Sequence, residues 1–275
     1  MLYFRGNARW GSVVLLVVDI GNTNIVVGFF HRGDLVQTAR WQSDVQRMPD
    51  EYAALLDWAL RRQGFGLDQV SGLAIASVVP PLTAVFEEVA RRYGGVEPLV
   101  VTSEVDAGLP LRVDHPREVG ADRIANAVGV RRRYGTPAIV VDLGTATTLD
   151  IVSADGAYLG GAIAPGVRTA LEGLWQRTFR LPRIDLRLPS SPIGRNTVHA
   201  IQVGTIMGHA ALVDGLVERV ARELEGVPHV VATGGFAPLV APASTAIQVV
   251  DVDLTLHGIR FIYERARASH GGERA

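Results

Sequence analysis

The sequence predicts an α/β protein with two similar lobes, each containing a mixed sheet flanked by helices. With 275 residues, 48% of them hydrophobic, the chain can bury one large core or two of ordinary size. One pattern occurs twice, at Asp19 and at Asp142: an apolar run ends in Asp, an apolar residue, Gly and polar residues, then returns into a second apolar run. Because this pattern begins two half-chains of similar organisation, it predicts an internal duplication.

The first half follows the order three strands, helix, strand, helix, strand. In its first helix Leu55, Leu56 and Ala59 share one apolar face, and Gly64 ends the helix. The predicted elements are a hairpin over 15–30, a strand over 35–41, a helix over 50–64, a strand over 72–80, a helix over 82–95 and a strand over 96–102. We assign residues 13–134 to this N-terminal lobe.

The second half again begins with three strands and continues with helices. The predicted elements are three strands within 137–165, a helix over 166–178, irregular Pro-rich chain to about Ile193, a helix from Thr197 towards Leu224, a strand over 229–235 that ends in a Gly pair, a strand over 246–250, and an amphipathic helix over 254–268. We assign residues 135–268 to the C-terminal lobe.

The composition excludes several classes of chemistry. There is no Cys, so disulfides, thiolate metal sites and a Cys nucleophile are excluded, and a cytoplasmic location is expected. All 27 basic residues are Arg, which removes the P-loop Lys and Schiff-base chemistry. The net charge of -1, with both signs mixed along the chain, argues against nucleic acid or a membrane surface as a partner. Small molecules are the expected partners.

The N-terminal stretch and the remaining motifs add little. Residues 1–12 match neither a signal peptide nor a membrane span and are expected to form a disordered extension. No later apolar run reaches the roughly 18 residues of a spanning helix. The absence of HExxH, GxSxG and a GxGxxG after the first strand leaves zinc hydrolysis, a serine hydrolase and dinucleotide binding without support.

The two Asp-containing turns are candidates for a polyphosphate site. Gly21 and Gly144 let backbone N–H groups approach an anion without a side chain in the way. A carboxylate in each turn, Asp19 and Asp142, can hold a cation and its water against those phosphates. Either Asp taken singly is equally explained as a turn residue that bonds its own backbone. The occurrence of both favours a clamp for a polyphosphate.

The stretch GADRIANAVGVRRRYG contains a second candidate site. Asp122 precedes the apolar positions of a helix, so one interpretation is a helix N-cap with Arg123 pointing to solvent. In the other interpretation Asp122 accepts the proton of an attacking hydroxyl, and Arg123 with the first-turn N–H groups binds a carboxylate or phosphate.

Both turns resemble the phosphate hairpins of the actin-like superfamily of sugar kinases, Hsp70-type chaperones and acetate kinases. A third element is also similar, because VVATGGF ends a strand in Thr233, Gly234 and Gly235, where the superfamily packs adenosine against glycine-rich backbone. The resemblance implies a duplicated actin-like (ribonuclease H-like) two-lobed fold that binds ATP.

Five stretches, in order, resemble one family in particular, the type III pantothenate kinases, which are the first enzymes of coenzyme A synthesis. They are DIGNTN, GADRIANA, DLGTATTLD with GGAIAPG, RNTVHAIQVG and the late TGG. They cover the chain from about Leu15 to the last helix. The resemblance implies ATP-dependent phosphorylation of pantothenate to 4'-phosphopantothenate.

Carried over position by position, the resemblance implies a set of site residues. Asp122 would be the general base and would contact pantothenate together with Gly120, Ala121, Arg123 and Thr197. Asp142 would hold the monovalent cation, K⁺ or NH₄⁺, that members require beside the Mg²⁺ that accompanies ATP, and Asp19 would hold Mg²⁺ through water. ATP would lie against Asp19, Ile20, Gly21, Asn22, Thr23, Asn24, Ile25, Val26, Thr145, Gly234 and Gly235.

The family pattern also implies an assembly and shows one departure. Members are homodimers with active sites at the subunit interface, and the Ala-rich helix after Thr197 suits close packing between subunits or within one. Val113, seven residues before Gly120, stands where many members carry a Tyr that touches the substrate. Two other interpretations stay open: a nucleotide-binding regulator that resembles accessory transcription factors, and a sugar kinase on the same scaffold.

Overall fold

The computed structural model describes residues 13–271, so the predicted extension at 1–12 lies outside the described residues. The chain divides into two compact units between Val101 and Thr102. Each unit contains a five-stranded sheet of its own.

The first unit has the predicted order of three strands, helix, strand, helix, strand. Its elements are β1 (Val14–Ile20), β2 (Asn24–His31), β3 (Asp34–Gln42), α1 (Pro49–Arg61), β4 (Val70–Ser77), α2 (Pro80–Arg92) and β5 (Leu99–Val100). The sheet order is β3-β2-β1-β4-β5, antiparallel from β1 to β3 and parallel from β1 through β4 to β5. Helices α1 and α2 meet in the core, where the Tyr52 and Phe86 rings lie 4.9 Å apart.

The second unit repeats this sheet. Its elements are α3 (Ala121–Arg133), β6 (Ala138–Leu143), β7 (Ala146–Val152), β8 (Tyr158–Pro165), α4 (Val167–Gln176), α5 (Thr197–Gln202), α6 (Gly208–Ala221), β9 (His229–Thr233), α7 (Ala237–Val240), β10 (Val249–Val250) and α8 (Leu254–Gly271). The order β8-β7-β6-β9-β10 has the same antiparallel and parallel pairings as β3-β2-β1-β4-β5. The predicted duplication is confirmed.

Helix α3 belongs to the second unit, although the sequence assigned it to the N-terminal lobe of 13–134. It packs closely on α8, which follows it by more than a hundred residues. A Cβ atom at Gly258 would overlap the carbonyl of Ala125, so the two backbones approach as only Gly allows. The unit boundary therefore precedes α3, whereas the sequence placed the lobe boundary at 134/135.

The long helix of the second unit is irregular. A π-helical turn, Val203–Met207, separates α5 from α6. By length and composition alone, the continuous helix Thr197–Ala221 is apolar enough to cross a membrane, which the sequence did not predict. Of its apolar stretch of 18 residues, 33% is buried. Core helices of ordinary globular proteins pass the same test, so the observation is weak evidence for a membrane span.

Candidate active site

Asp122 lies in the first turn of α3. The helix is preceded by Gly120 as its N-cap, so the interpretation of Asp122 as the capping residue is wrong. Its Oδ1 atom accepts a hydrogen bond of 2.8 Å from the backbone N–H of Arg123. Burial raises the pKa of Asp122 above its ordinary value, although this hydrogen bond and the Arg123 charge oppose the shift. A carboxylate with a raised pKa at a helix N-terminus is suited to accept a proton.

Arg123 points into the protein and not to solvent. Its side chain is 17% exposed, and Nε lies 2.6 Å from Oδ1 of Asp150. Its Nη2 group donates to the carbonyl of Leu149 at 3.2 Å, and its Cζ atom lies 5.8 Å from the centre of the Tyr158 ring. The Arg123 side chain is therefore held in place by residues of two strands, β7 and β8.

Asp150 is a residue of the candidate site that the sequence analysis did not identify. Its side chain is 0% exposed, and Oδ1 also accepts a hydrogen bond of 3.0 Å from the Tyr158 hydroxyl. Burial raises its pKa to about 7, against the lowering by Arg123 and by Tyr158. The sequence did contain a signal for this residue: an acid inside the apolar strand LDIV is costly to bury unless it is paired, so Asp150 could have been expected to have a partner.

Asp142 is the second-last residue of β6 and is bonded to α3 and, through Asn126, to α8. Its Oδ2 atom accepts a hydrogen bond of 3.1 Å from Nδ2 of Asn126, and Oδ1 of Asn126 accepts one of 2.7 Å from Thr255. Burial, together with the smaller effect of the Asp122 charge, raises the pKa of Asp142 to about 6, although the Asn126 hydrogen bond opposes the shift. The charge of Asp122 thus influences the titration of Asp142.

The loop after β9 adjoins Asp142. A Cβ at Gly234, whose φ is +88°, would overlap Oδ1 of Asp142, so a side chain is excluded there. Next to it, the backbone N–H of Phe236 donates to the carbonyl of Leu143 at 3.0 Å. The structure therefore brings together the second Asp turn and the predicted adenosine loop of Gly234 and Gly235.

Thr145 lies in the turn between β6 and β7. Its carbonyl accepts hydrogen bonds from the Gly166 N–H at 3.1 Å and from the Thr169 hydroxyl at 2.7 Å. These bonds tie the turn to the start of α4. The turn of the second Asp is therefore held in a defined conformation.

The turn between β1 and β2, in the first unit, contains the other predicted phosphate residues. The N–H of Gly21 donates to the carbonyl of Asn24 at 3.0 Å, and the hydroxyl of Ser43 donates to the carbonyl of Gly21 at 2.6 Å. Ile20 and Ile25 are 0% exposed and pack in the core, so only their backbones can face a ligand. The exposed residues of this turn are Asn22, Thr23 and Asn24.

Thr197 begins α5 and lies on the wall of a cavity of about 640 Å³ between α4, α5 and α6. The preceding Asn196 caps the helix by accepting from the N–H of His199 at 2.9 Å. On the same wall, Nε2 of His209 lies 2.7 Å from the hydroxyl of Thr147. Val113 packs with the apolar cluster that includes Tyr158.

Among residues 13–271, no group of three or more His, Asp or Glu side chains is arranged to hold a metal ion. Mg²⁺ that arrives on ATP needs only one or two protein carboxylates, because the phosphates and water supply its other ligands. Asp19, at the end of β1, is a residue of the required type.

Solved structures with the same fold define the class of protein. A putative Baf family transcriptional activator from Campylobacter jejuni superposes with a TM-score of 0.59 at 20% identity, covering 92% of this chain and 99% of that one. An activator of 2-hydroxyisocaproyl-CoA dehydratase from Clostridium difficile, with bound ADPNP, gives 0.58 at 12% identity, covering 94% and 98%. At these identities the likeness concerns the fold alone. That fold is the actin-like ATPase fold, as predicted.

Sequence relatives then identify the family. A family model described as Type III pantothenate kinase matches residues 15–219. Type III pantothenate kinases of Thermomicrobium roseum and Geobacter sulfurreducens are 52% and 49% identical, covering 94% and 92% of this chain and 100% of each relative. The chain belongs to the type III pantothenate kinase family. It is an ATP-dependent kinase that phosphorylates pantothenate in coenzyme A biosynthesis, and its family implies a divalent metal such as Mg²⁺ with the ATP.

Proposed function

We propose that Asp122 is the general base of this phosphorylation and that Arg123 binds the carboxylate of pantothenate. The observation that carries the proposal is the placement of both residues in the first turn of α3, where Asp122 is held by a backbone N–H and its pKa is raised. Asp122 accepts the proton of the primary hydroxyl as its oxygen attacks the γ-phosphorus, and ADP leaves. Gly120 and Ala121 place first-turn N–H groups beside the same substrate.

The nucleotide part of the proposal concerns residues of each unit, taken separately. In the first unit, backbone N–H groups of residues 19–26 bind phosphate, and Asp19 would hold Mg²⁺ through water. In the second, Thr145 binds phosphate and the Gly234–Gly235 backbone packs against adenosine. When bound, Mg²⁺ would supply neutralisation of the charge that develops on the phosphate oxygens. Catalysis is then mainly positioning and charge stabilisation.

We further propose that Asp142 holds the monovalent cation, K⁺ or NH₄⁺. Thr233 is its neighbour in the parallel pairing of β6 and β9, so the two side chains project from the same sheet face. The Thr233 hydroxyl oxygen is buried and has no hydrogen-bond partner among the described residues. An orphaned hydroxyl beside a carboxylate supplies the oxygen donors that such a cation prefers.

The proposed assembly is a homodimer with the active site near its interface, in the cytoplasm, with neither nucleic acid nor membrane as a partner. In the second unit several apolar side chains are unusually exposed: Ile163 at 68%, Phe179 at 108% and Ile193 at 70%. Strand β8, which carries Ile163, is an edge strand of its sheet. Two-thirds of the apolar window of helix Thr197–Ala221 is also unburied. Such surfaces are typical of an interface between subunits.

The central test is Asp122→Asn, which removes the base but keeps the shape of the side chain. We expect turnover to fall by about 10²–10⁴-fold while ATP binding stays within about twofold. The measurements are pantothenate-dependent ADP release and binding of a non-hydrolysable ATP analogue. Asp114→Asn, an exposed Asp shortly before α3, is the matched control and should keep wild-type rates.

The same assay separates the alternatives. ADP release that requires pantothenate supports the kinase proposal, whereas turnover with hexoses would indicate a sugar kinase. ATP binding without turnover on any acceptor, at any K⁺ or NH₄⁺ concentration, would indicate a regulator. Retention of most activity by Asp122→Asn would remove Asp122 from the role of base.

A further inference from the structure

Asp150 is a completely buried carboxylate that the proposed mechanism does not use. It lies in the interior of β7, eight residues after Asp142, in a strand whose neighbours Leu149 and Val152 are core residues. A buried carboxylate is costly unless it is paired and hydrogen-bonded. An apolar residue at this position of the strand would avoid that cost, so the presence of Asp150 suggests that it has a role in the candidate site.

The shortest contact of Asp150 is with Arg123, and a second partner of Asp150 also faces Arg123. Oδ1 of Asp150 lies 2.6 Å from Nε of Arg123 and accepts from the Tyr158 hydroxyl at 3.0 Å. The ring of Tyr158 also faces the Arg123 guanidinium. Thr148 adds a long hydrogen bond of 3.5 Å to Oδ2. The carboxylate and the phenol together fix one edge of the guanidinium.

Gly161 on β8 completes this arrangement. A Cβ atom at position 161 would overlap the carbonyl of Leu149 and would lie 3.0 Å from Nη2 of Arg123. The missing side chain lets Nη2 reach that carbonyl, the bond of 3.2 Å. The Arg123 guanidinium is therefore held by two contacts: Nε bonds to Asp150, and Nη2 bonds to the backbone carbonyl of Leu149 on β7.

The opposite edge of Arg123 is left for a ligand. A guanidinium has five N–H donors, and the contacts above use two of them. Within residues 13–271, the Nη1 group donates to no other residue. Among the described residues, Arg123 donates to the Asp122 carboxylate through its backbone N–H and not through its guanidinium, so the guanidinium does not occupy the base. The residual exposure of 17% leaves room for an approaching anion.

We infer that Asp150, together with Tyr158, is a positioning residue that turns the Nη1 edge of Arg123 towards the carboxylate of pantothenate and keeps the guanidinium off Asp122. The inference rests on the proposed role of Arg123. It adds a specificity determinant on β7 and β8 that acts through Arg123 without touching substrate. The matching chemistry is a monocarboxylate, since one free edge of a guanidinium accommodates one carboxylate group.

The test compares two acceptors in the full-length enzyme, pantothenate and pantothenyl alcohol, in which a hydroxymethyl group replaces the carboxylate. In Asp150→Asn, we expect KM for pantothenate to rise about 10- to 100-fold, while KM for ATP stays within about twofold. KM for pantothenyl alcohol should change by less than about threefold, because that acceptor makes no ion pair with Arg123. A general structural defect would affect both acceptors equally.

Two further variants keep the test decisive. Tyr158→Phe removes one hydrogen bond to Asp150 and should raise KM for pantothenate about 3- to 10-fold, even where Asp150→Asn proves unstable. Asp155→Asn, an Asp with 57% exposure that pairs with Arg112 in the turn after β7, is the matched control and should match the wild type.

The outcomes are distinguishable. Wild-type enzyme that shows no pantothenate-dependent ADP release would overturn the proposed function itself. Active wild type with an unchanged pantothenate KM in both Asp150→Asn and Tyr158→Phe would overturn only the positioning role. Equal losses on pantothenate and its alcohol would do the same, since they would show a structural effect.

Discussion

Asp142 and Asp150 are acids in which burial favours the protonated form. Burial raises the pKa of Asp142 to about 6 and the pKa of Asp150 to about 7, against the hydrogen bonds that each carboxylate accepts. Both values lie above the value of about 3.9 for Asp in an unfolded chain. Between about pH 4 and pH 7 these two acids therefore hold more protons in the folded protein than in the unfolded one, so their contribution to the free energy of unfolding falls as pH rises through this window. His209 and His257 contribute in the opposite direction, because burial lowers their pKa values, that of His257 to about 4.

A bound cation should reverse this trend, because it favours the ionised form of Asp142. We expect K⁺ at ten times its Kd to stabilise the protein by about 1.4 kcal/mol, or about 3–6 °C in Tm, at pH 8. At pH 5 the gain should be small, since Asp142 then binds a proton. The measurement is thermal unfolding in KCl against tetramethylammonium chloride at both pH values.

Two variants assign that effect to the proposed site. Asp142→Asn should abolish the K⁺-dependent gain, and Thr233→Val, which removes the orphaned hydroxyl, should reduce it. An equal gain at pH 5 and pH 8, or an unaltered gain in Asp142→Asn, would place the cation elsewhere.

Single residues differ in how far the sequence predicts them. Asp122 and Asp142 could be proposed from the sequence because each stands in a recognisable local pattern near the start or the end of an element. The pairing of Arg123 with Asp150 could not be predicted from the sequence. Asp150 lies 27 residues further along the chain, and the two side chains meet only because α3 packs on β7. The solvent-facing Arg123 was a local interpretation that this tertiary pairing overrides.

At the scale of elements, the contact between α3 and α8 holds the proposed base, Asp122, and the proposed cation site at Asp142 in one unit. Gly258 allows it, because a methyl group there would meet the Ala125 carbonyl. We expect Gly258→Ala to lower the free energy of unfolding by about 1–3 kcal/mol, a fall of about 2–10 °C in Tm. Thermal unfolding of the purified variant measures it.

Gly173→Ala provides the comparison for this change. Gly173 is also in a helix, α4, but a Cβ there would meet nothing within 4 Å. Ala is the better helix former, so Gly173→Ala should leave stability unchanged or raise it by up to about 1 kcal/mol. If Gly258→Ala were equally harmless, the close packing of α3 on α8 would be in doubt.

The strands and long helices follow from periodicity and turn residues, and their order is confirmed. The strands predicted over 96–102 and 246–250 shorten to two residues each, β5 and β10, because only those residues pair with a neighbour. Helix α7, four residues long, was not predicted, since it is too short for a periodic pattern.

For the whole molecule, the repeated Asp-Gly turns predicted the duplication, and the identical sheet orders of the two units confirm it. The unit boundary could not be read from the chain, because it depends on which helix α3 packs against. That helix, α8, is the last element of the sequence.

The oligomeric state is a second property of the whole molecule. We expect sedimentation at twice the chain mass of 29.5 kDa. Ile163→Glu should shift the protein towards monomer, because the charge would be buried at the proposed interface. Val45→Glu, at a similarly exposed apolar position of the first unit with 57% exposure, should stay dimeric. A wild type that sediments as a monomer at micromolar concentration would contradict the homodimer.

The π-helical turn Val203–Met207 lets this segment contain one residue more than a regular helix of the same span. An α-helical hydrogen bond closes a turn over about four residues and a π-helical one over about five, and both turns cover nearly the same rotation, so the wide turn absorbs the extra residue without turning α6 relative to α5. Deleting one residue within 203–207 should therefore let the helix continue regularly, with Thr197 and His209 still on their present sides. In a regular helix the same deletion would rotate one end against the other by about 100°.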